Sequence, residues 1–174
     1  MPVPSPEAAE ANEPAETTPV SPEIVQIEVA LTEIAYLASR SRQHERLMAV
    51  AGLALDRAAA AVLRQLAATE PIRAGDLAQR LAVEASHVTR QVQQLERSGY
   101  VARVPDPEDR RAQLIQLTAR GRETVGRIRA AGCLGMQQVL DHWSAEDLST
   151  LAVLFRRMVD DFVAHADDEV TVEP

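Results

Sequence analysis

A chain of 174 residues with 46 % apolar side chains can bury one packed domain, and with aromatics at only 3 % its core must come from Leu, Val, Ile and Ala, which suits helix-on-helix packing better than a β-sandwich. The net charge of −8 sits in the ends: residues 1–22 carry four Glu and no Arg, residues 166–174 carry Asp167, Asp168, Glu169 and Glu173, and the stretch between balances 18 acids with 18 Arg. No apolar run is long enough to span a bilayer, no signal-peptide pattern opens the chain, and a single cysteine excludes an intrachain disulfide framework, so a cytoplasmic protein is expected.

Residues 1–22 hold six of the ten prolines and read as a disordered acidic leader. Ser21-Pro22-Glu23 is a helix start, with Ser as cap, Pro in the first position and an acid in the first turn. The helix is expected to run to about Met48. Its apolar residues Ile24, Ile27, Leu31 and Ile34 recur at alternating spacings of three and four, a narrow seam suited to another helix. Residues 23–55 thus form an N-terminal dimerisation helix and turn. Asp56 caps the next helix, which runs to about Ala68 and buries Val62, Leu63 and Leu66. Its four alanines, Ala58 to Ala61, suit close helix contact. Glu70-Pro71 breaks the chain, and Ile72 is placed as a short strand.

Two short amphipathic patterns follow. Leu77 and Leu81 carry the first. After a break at Ala82-Val83, Val88, Val92 and Leu95 mark the buried face of the second. Ser86, His87, Thr89, Arg90, Gln91 and Gln94 then fall largely on the other side. Arg, amide and hydroxyl side chains on one helix face are those that read base edges in a major groove. Gly99 stops this helix. Tyr100 to Val104 is β-prone, Pro105 and Pro107 end it, and Leu114 to Leu117 returns as a second strand. Arg110 and Arg111 lie near the tip, within reach of a phosphate or a narrow minor groove. Residues 56–120 are a helix-turn-helix followed by a β-hairpin wing. Arg73 to Arg122 holds nine Arg against six acids, a net of +3. That excess is too small to establish DNA binding alone.

Thr118 is the cap of a helix running to about His142. Its four glycines, Gly121, Gly126, Gly132 and Gly135, are expected at close helix–helix approaches. Ser144 caps the last helix, with Glu146 and Asp147 in its first turn. Leu148, Leu151, Phe155, Met158 and Phe162 repeat at three and four, a second seam matching the first. Residues 121–165 are therefore the C-terminal dimerisation helices, and 166–174 an acidic tail.

The stretches VTRQVQQLERSGYV (Val88 to Val101) and DRRAQLIQLTARG (Asp109 to Gly121) resemble the recognition helix and wing of MarR-family transcriptional regulators. The resemblance implies a mainly α winged helix-turn-helix of about six helices plus a wing. It also implies an obligate-type homodimer through the terminal helices, with double-stranded DNA as partner. It places the Thr89-Arg90 pair on DNA, sends Arg111 into the minor groove with Asp109 supporting it, and makes Leu117, Thr118 and Gly121 the closing signal of the wing. Two departures stand out. Glu84 occupies the usual place of a small cap, and Gln94 stands where some members carry Arg. The family commonly takes small anionic or phenolic ligands, and Arg46, Met48, Leu53, Ala60 and Tyr100 are candidates to line such a crevice.

Other chemistry is weakly represented. No phosphate loop, Ser-His-Asp arrangement or paired carboxylates indicate an enzyme. His44, His87, His142 and His165 lack close metal-ligand spacing, so neither metal nor cofactor is expected. Cys133, in the long helix after the wing, reads as a buried inert thiol. The expected function is a sequence-specific regulator that binds a palindrome as a homodimer, represses, and is released by a small molecule. The alternative is a winged-helix protein–protein interaction module without DNA binding.

Overall fold

The computed structural model describes residues 19–109 and 111–170, with side chains described as far as residue 165. Most of the acidic leader, Arg110 and the last four residues lie outside them. Contacts divide the chain into a unit ending at Gln43 and a unit beginning at His44.

The first unit contains α1 (Pro22–Ser39). Ser21 caps it as expected, its hydroxyl accepting the Ile24 N–H at 3.3 Å. The helix does not continue to Met48. Arg40 is extended (φ −68°, ψ 134°), and α2 (Ser41–Ala51) starts afresh, so there are seven helices among the described residues rather than six. The cause is local: the Ser39 hydroxyl donates to the Tyr36 carbonyl at 2.7 Å, the kind of side-chain bond by which serine competes with helix propagation. The seam is solvent-facing, with Ile24, Ile27 and Ile34 exposed and Leu31 half-buried.

The second unit is built on α3 (Arg57–Thr69), α4 (Ala74–Arg80) and α5 (Ala85–Arg97), packed on a three-stranded antiparallel sheet. β1 (Ile72–Arg73) pairs with β3 (Gln113–Leu117), which pairs in turn with β2 (Val101–Pro105). Ile72 faces Ile115 and Val101 faces Leu117 across the ladders. Leu63, Leu66, Leu77, Val88, Val92, Leu95, Ile115 and Leu117 fill the core. Each such side chain contributes about 2 kcal/mol by leaving water. Within the alanine run, Ala59 joins this core, while Ala60 joins a second cluster with Met48 and Ile128, so α3 is small where two clusters meet it. Asp56 caps α3 as expected, accepting the Ala59 N–H at 2.7 Å.

α6 (Ala119–Val139) and α7 (Ala145–Val170) complete the unit. The junction between wing and α6 is a dense knot. Thr118 donates its N–H to the Tyr100 carbonyl at 3.0 Å and its hydroxyl to the Gly99 carbonyl at 2.7 Å, and accepts the Gly121 N–H at 3.0 Å. A Cβ on Gly121 would fall 2.1 Å from the Tyr100 oxygen, so only glycine fits. Glu70, next to the cis Glu70–Pro71 bond, extends the sheet with its side chain: its carboxylate accepts the Leu117 N–H and pairs with Arg122 at 3.0 Å.

Two expectations for α6 do not hold. Gly126 and Gly135 have open space where a side chain would stand, and Gly132 meets only Leu47 at ordinary contact distance, so close approach occurs at Gly121 alone. Cys133 is exposed, not buried, because the last two turns of α6 meet little of this unit. On α7, Leu148, Leu151, Phe155 (44 % exposed) and Phe162 (62 %) face solvent, with Met158 half-buried.

Candidate nucleic-acid interface

α5 carries apolar side chains on one stripe only. Val88, Val92 and Leu95 sink into the core, which turns Ser86, His87, Arg90 and Gln94 outward. The turn before it is tight: Val83 donates its N–H to the Ala78 carbonyl at 3.1 Å, and Ala82 takes a left-handed conformation (φ 50°). Glu84 precedes α5 without a side-chain cap bond, as its unusual identity implied. The Arg90 guanidinium lies 3.4 Å from His87 Nε2, so these two outward groups share one patch.

Thr89 and Gln91 are half-buried rather than fully turned out. The Thr89 hydroxyl donates to the Ala85 carbonyl at 2.8 Å. Gln91 Oε1 is buried and, among the described residues, accepts no hydrogen bond. Arg103 on β2 pairs with Glu96 on α5 at 3.2 Å and joins the recognition helix to the wing.

The wing is closed at its root by an N–H of Asp106 donating to the Ala112 carbonyl at 3.1 Å. Asp109 holds the tip from within. Its carboxylate accepts the Arg111 N–H at 3.0 Å and its carbonyl accepts the Ala112 N–H at 2.9 Å. The Arg111 side chain is exposed, while Arg110 lies outside the described residues.

Sequence reasoning missed a second support. Asp106 is only 6 % exposed, yet charged. Its Oδ1 accepts the Glu108 N–H at 2.9 Å, and its Oδ2 accepts Arg73 Nε at 2.9 Å and Nη2 at 2.6 Å. The Glu108 N–H first, then Arg73, hold this carboxyl below the usual Asp range. Half of the pattern was visible, since an Asp between two prolines readily bonds the N–H two residues on. Its partner, 33 positions earlier, left no local trace.

The five residues proposed for a ligand crevice do not gather at one place. Met48, Ala60 and half-buried Leu53 pack with Ile128, and Arg46 is exposed. Tyr100 packs against the other cluster, with the Arg120 guanidinium stacked 4.6 Å from its ring centre. It borders a groove of about 540 Å³ together with Asp56, Gln94, Arg97, Ser98 and Arg120.

Comparison with known proteins agrees with this geometry. The sequence model of the MarR family matches residues 55–112, from the start of α3 to the wing. An uncharacterized HTH-type transcriptional regulator of Bacillus subtilis, YdgJ, is 34 % identical over 89 residues, 51 % of this chain and 54 % of that protein. The match thus spans about half the length of that relative. The transcriptional activatory protein BadR of Rhodopseudomonas palustris is 46 % identical over 48 residues, 28 % of this chain and 27 % of that one. The structure of a MarR family protein from Bacillus stearothermophilus superposes with a TM-score of 0.69 over 81 % of this chain and 96 % of that one, at 19 % identity, a likeness of fold. The winged helix-turn-helix, the family match over its central block and these relatives together make the chain similar to MarR-family proteins, in sequence from residue 55 to 112 and in fold over most of its length.

Proposed function

We propose that the protein is a DNA-binding transcriptional regulator that reads a palindromic operator as a homodimer. One observation carries the reading: an outward patch of Ser86, His87, Arg90 and Gln94 on α5, backed by buried Val88, Val92 and Leu95, in the same compact unit as the exposed Arg111 of the wing. Arg90 and Gln94 read base edges, Ser86 and His87 contact bases or phosphate, and Arg111 enters the minor groove with Arg110 on phosphate. Thr89 and Gln91, half-buried, act at the margin of that patch. The exposed apolar seams on α1 and α7 support the homodimer, since a second copy would cover them. Two copies place two recognition helices about one turn of DNA apart, roughly 34 Å.

Repression follows where the operator overlaps a promoter, and release follows where a small anionic or phenolic molecule favours another half-site spacing. The groove beside Tyr100, with Arg97 and Arg120 on its walls, has chemistry suited to such a ligand.

The test is fluorescence anisotropy of the full chain against a duplex selected from a random-sequence pool, with unselected duplex as control, at two salt concentrations. The Arg90→Ala/Arg111→Ala variant should lose about tenfold or more of the selected affinity. Equal weak binding of every duplex, unchanged in the variant, would refute the reading and favour a protein-binding winged helix.

A further inference from the structure

We propose that Arg73 and Asp106 form a clasp that sets the pose of the wing relative to the recognition helix, and are positioning residues for DNA binding; this rests on the DNA-binding reading above. Arg73 is the residue before α4, the first helix of the helix-turn-helix. Asp106 follows the last residue of β2, at the root of the wing loop. Their two N–H···O bonds converge on a single carboxylate oxygen, while the other oxygen orders the loop through Glu108. The same residue's N–H closes the loop root on Ala112, next to Arg111. Asp106 therefore links three things: the start of α4, the turn of the loop, and the returning segment beside Arg111 that leads into β3.

The wing needs such a link. Between α4 and the wing runs a groove of about 970 Å³, bordered by Gln79, Arg80, Asp106, Pro107 and Leu114. Side chains do not fill it, so packing alone does not fix the loop there. Asp109 and Asp76 attract Arg73 as well, but more weakly than Asp106, the acid to which it is hydrogen-bonded. A regulator that places α5 in a major groove and Arg111 in the adjacent minor groove must meet both at once. Pre-setting the distance removes the cost of ordering the loop during binding.

Positioning predicts coupling. If Arg73 acts through the wing, removing it matters only while Arg111 is there to be placed. The experiment compares wild type, Arg73→Ala, Asp106→Asn, Arg111→Ala and Arg73→Ala/Arg111→Ala as full chains. Anisotropy is read on the duplex selected from a random pool, and amide exchange is read on the free proteins. Asp106→Asn is nearly isosteric and keeps an acceptor for Glu108, so it removes the clasp with least harm to folding. Arg73→Ala and Asp106→Asn should each weaken binding about fivefold or more, with a shallower salt slope. Arg73→Ala should add nothing to Arg111→Ala. In the free protein, amides of 106–112 should exchange faster in both clasp variants, with α5 unchanged.

Additive losses would overturn the proposal and make Arg73 a direct phosphate contact. Faster exchange with wild-type affinity would overturn it, since the pose would not matter, and so would unchanged exchange or loss of protection throughout α5. A wild type that selects no duplex would bring down the DNA reading itself. The exchange data, which need no DNA, would then still report whether the clasp holds the wing, so the two failures are separable.

Discussion

Replacing Gly121 by alanine sets two physical effects against each other. Gly121 is the third residue of α6, and by helix propensity alone alanine there should stabilise by about 1 kcal/mol. The structure predicts the opposite sign. The new Cβ would stand 2.1 Å from the Tyr100 carbonyl oxygen and 3.1 Å from Leu117 Cδ2, and the nearer atom is backbone, which cannot swing aside. Ordinary contact requires a separation more than 1 Å larger, roughly the closest tolerated C···O distance less the one found. That displacement pulls Tyr100 from the Thr118 N–H, now at 3.0 Å, and disturbs the Thr118 cap on Gly121. A lost backbone bond and a lost cap at about 1 kcal/mol each, plus residual strain, put the loss at roughly 2–4 kcal/mol. Gly126, on the same helix with open space beside it, is the control: Gly126→Ala should gain about 0.5–1 kcal/mol. Urea unfolding followed by circular dichroism, at one protein concentration, gives both values. Gly121→Ala at or above wild-type stability would refute the steric account.

Three further outcomes follow from single contacts. Ala82 holds φ 50° in the turn between α4 and α5, so Ala82→Gly should raise stability by about 0.5–1 kcal/mol in the same urea assay, relief of strain outweighing the looser unfolded chain. Asp56→Ala removes the acceptor of the Ala59 N–H and should cost about 1 kcal/mol, measured as a lower urea midpoint at unchanged slope. Because Asp106 titrates below its ordinary 3.8, its share of stability is present above that value and disappears as pH falls through the lower folded one. Wing exchange, corrected for intrinsic rate, should therefore stay flat between neutrality and about pH 5 and rise only in stronger acid.

Much of this architecture was legible because its causes are short-range. Caps at Ser21, Asp56, Thr118 and Ser144 lie within three residues of the N–H groups they accept. The stripe of Val88, Val92 and Leu95 follows from helix periodicity, and their burial dictates which neighbours turn outward. What escaped depends on partners far along the chain or on backbone competition. The break at Arg40 turns on a serine bonding backwards, within a stretch whose polarity reads equally well as an exposed helix face. Arg73 and Asp106 are 33 positions apart, and Glu70 reaches Leu117 over 47. The crevice residues rest on likeness to a family rather than on periodicity, and Met48, Leu53 and Ala60 join one cluster, Tyr100 packs on the other and Arg46 is exposed.

The remaining departures share one location. Cys133 is exposed, Gly135 faces open space, and Leu134, Met136 and Val139 stand in water along with the apolar side of α7. Each conflicts with how such residues behave in a finished core, and a single circumstance accounts for all of them: this end of the unit lacks a surface to pack on. The winged-helix end shows the contrast, since there the same residue types reach complete burial. An apolar stripe left bare beside so well filled a core is the surface on which the proposed homodimer would form. A seam of Leu, Met and Phe at steps of three and four is the pattern by which helices recognise helices, so it suits the proposed homodimer and does not discriminate between DNA binding and a protein-binding winged helix. The acidic ends fit the same division of labour. The net negative charge lies outside the segment from Arg73 to Arg122, whose net of +3 would be doubled in the proposed homodimer on one operator.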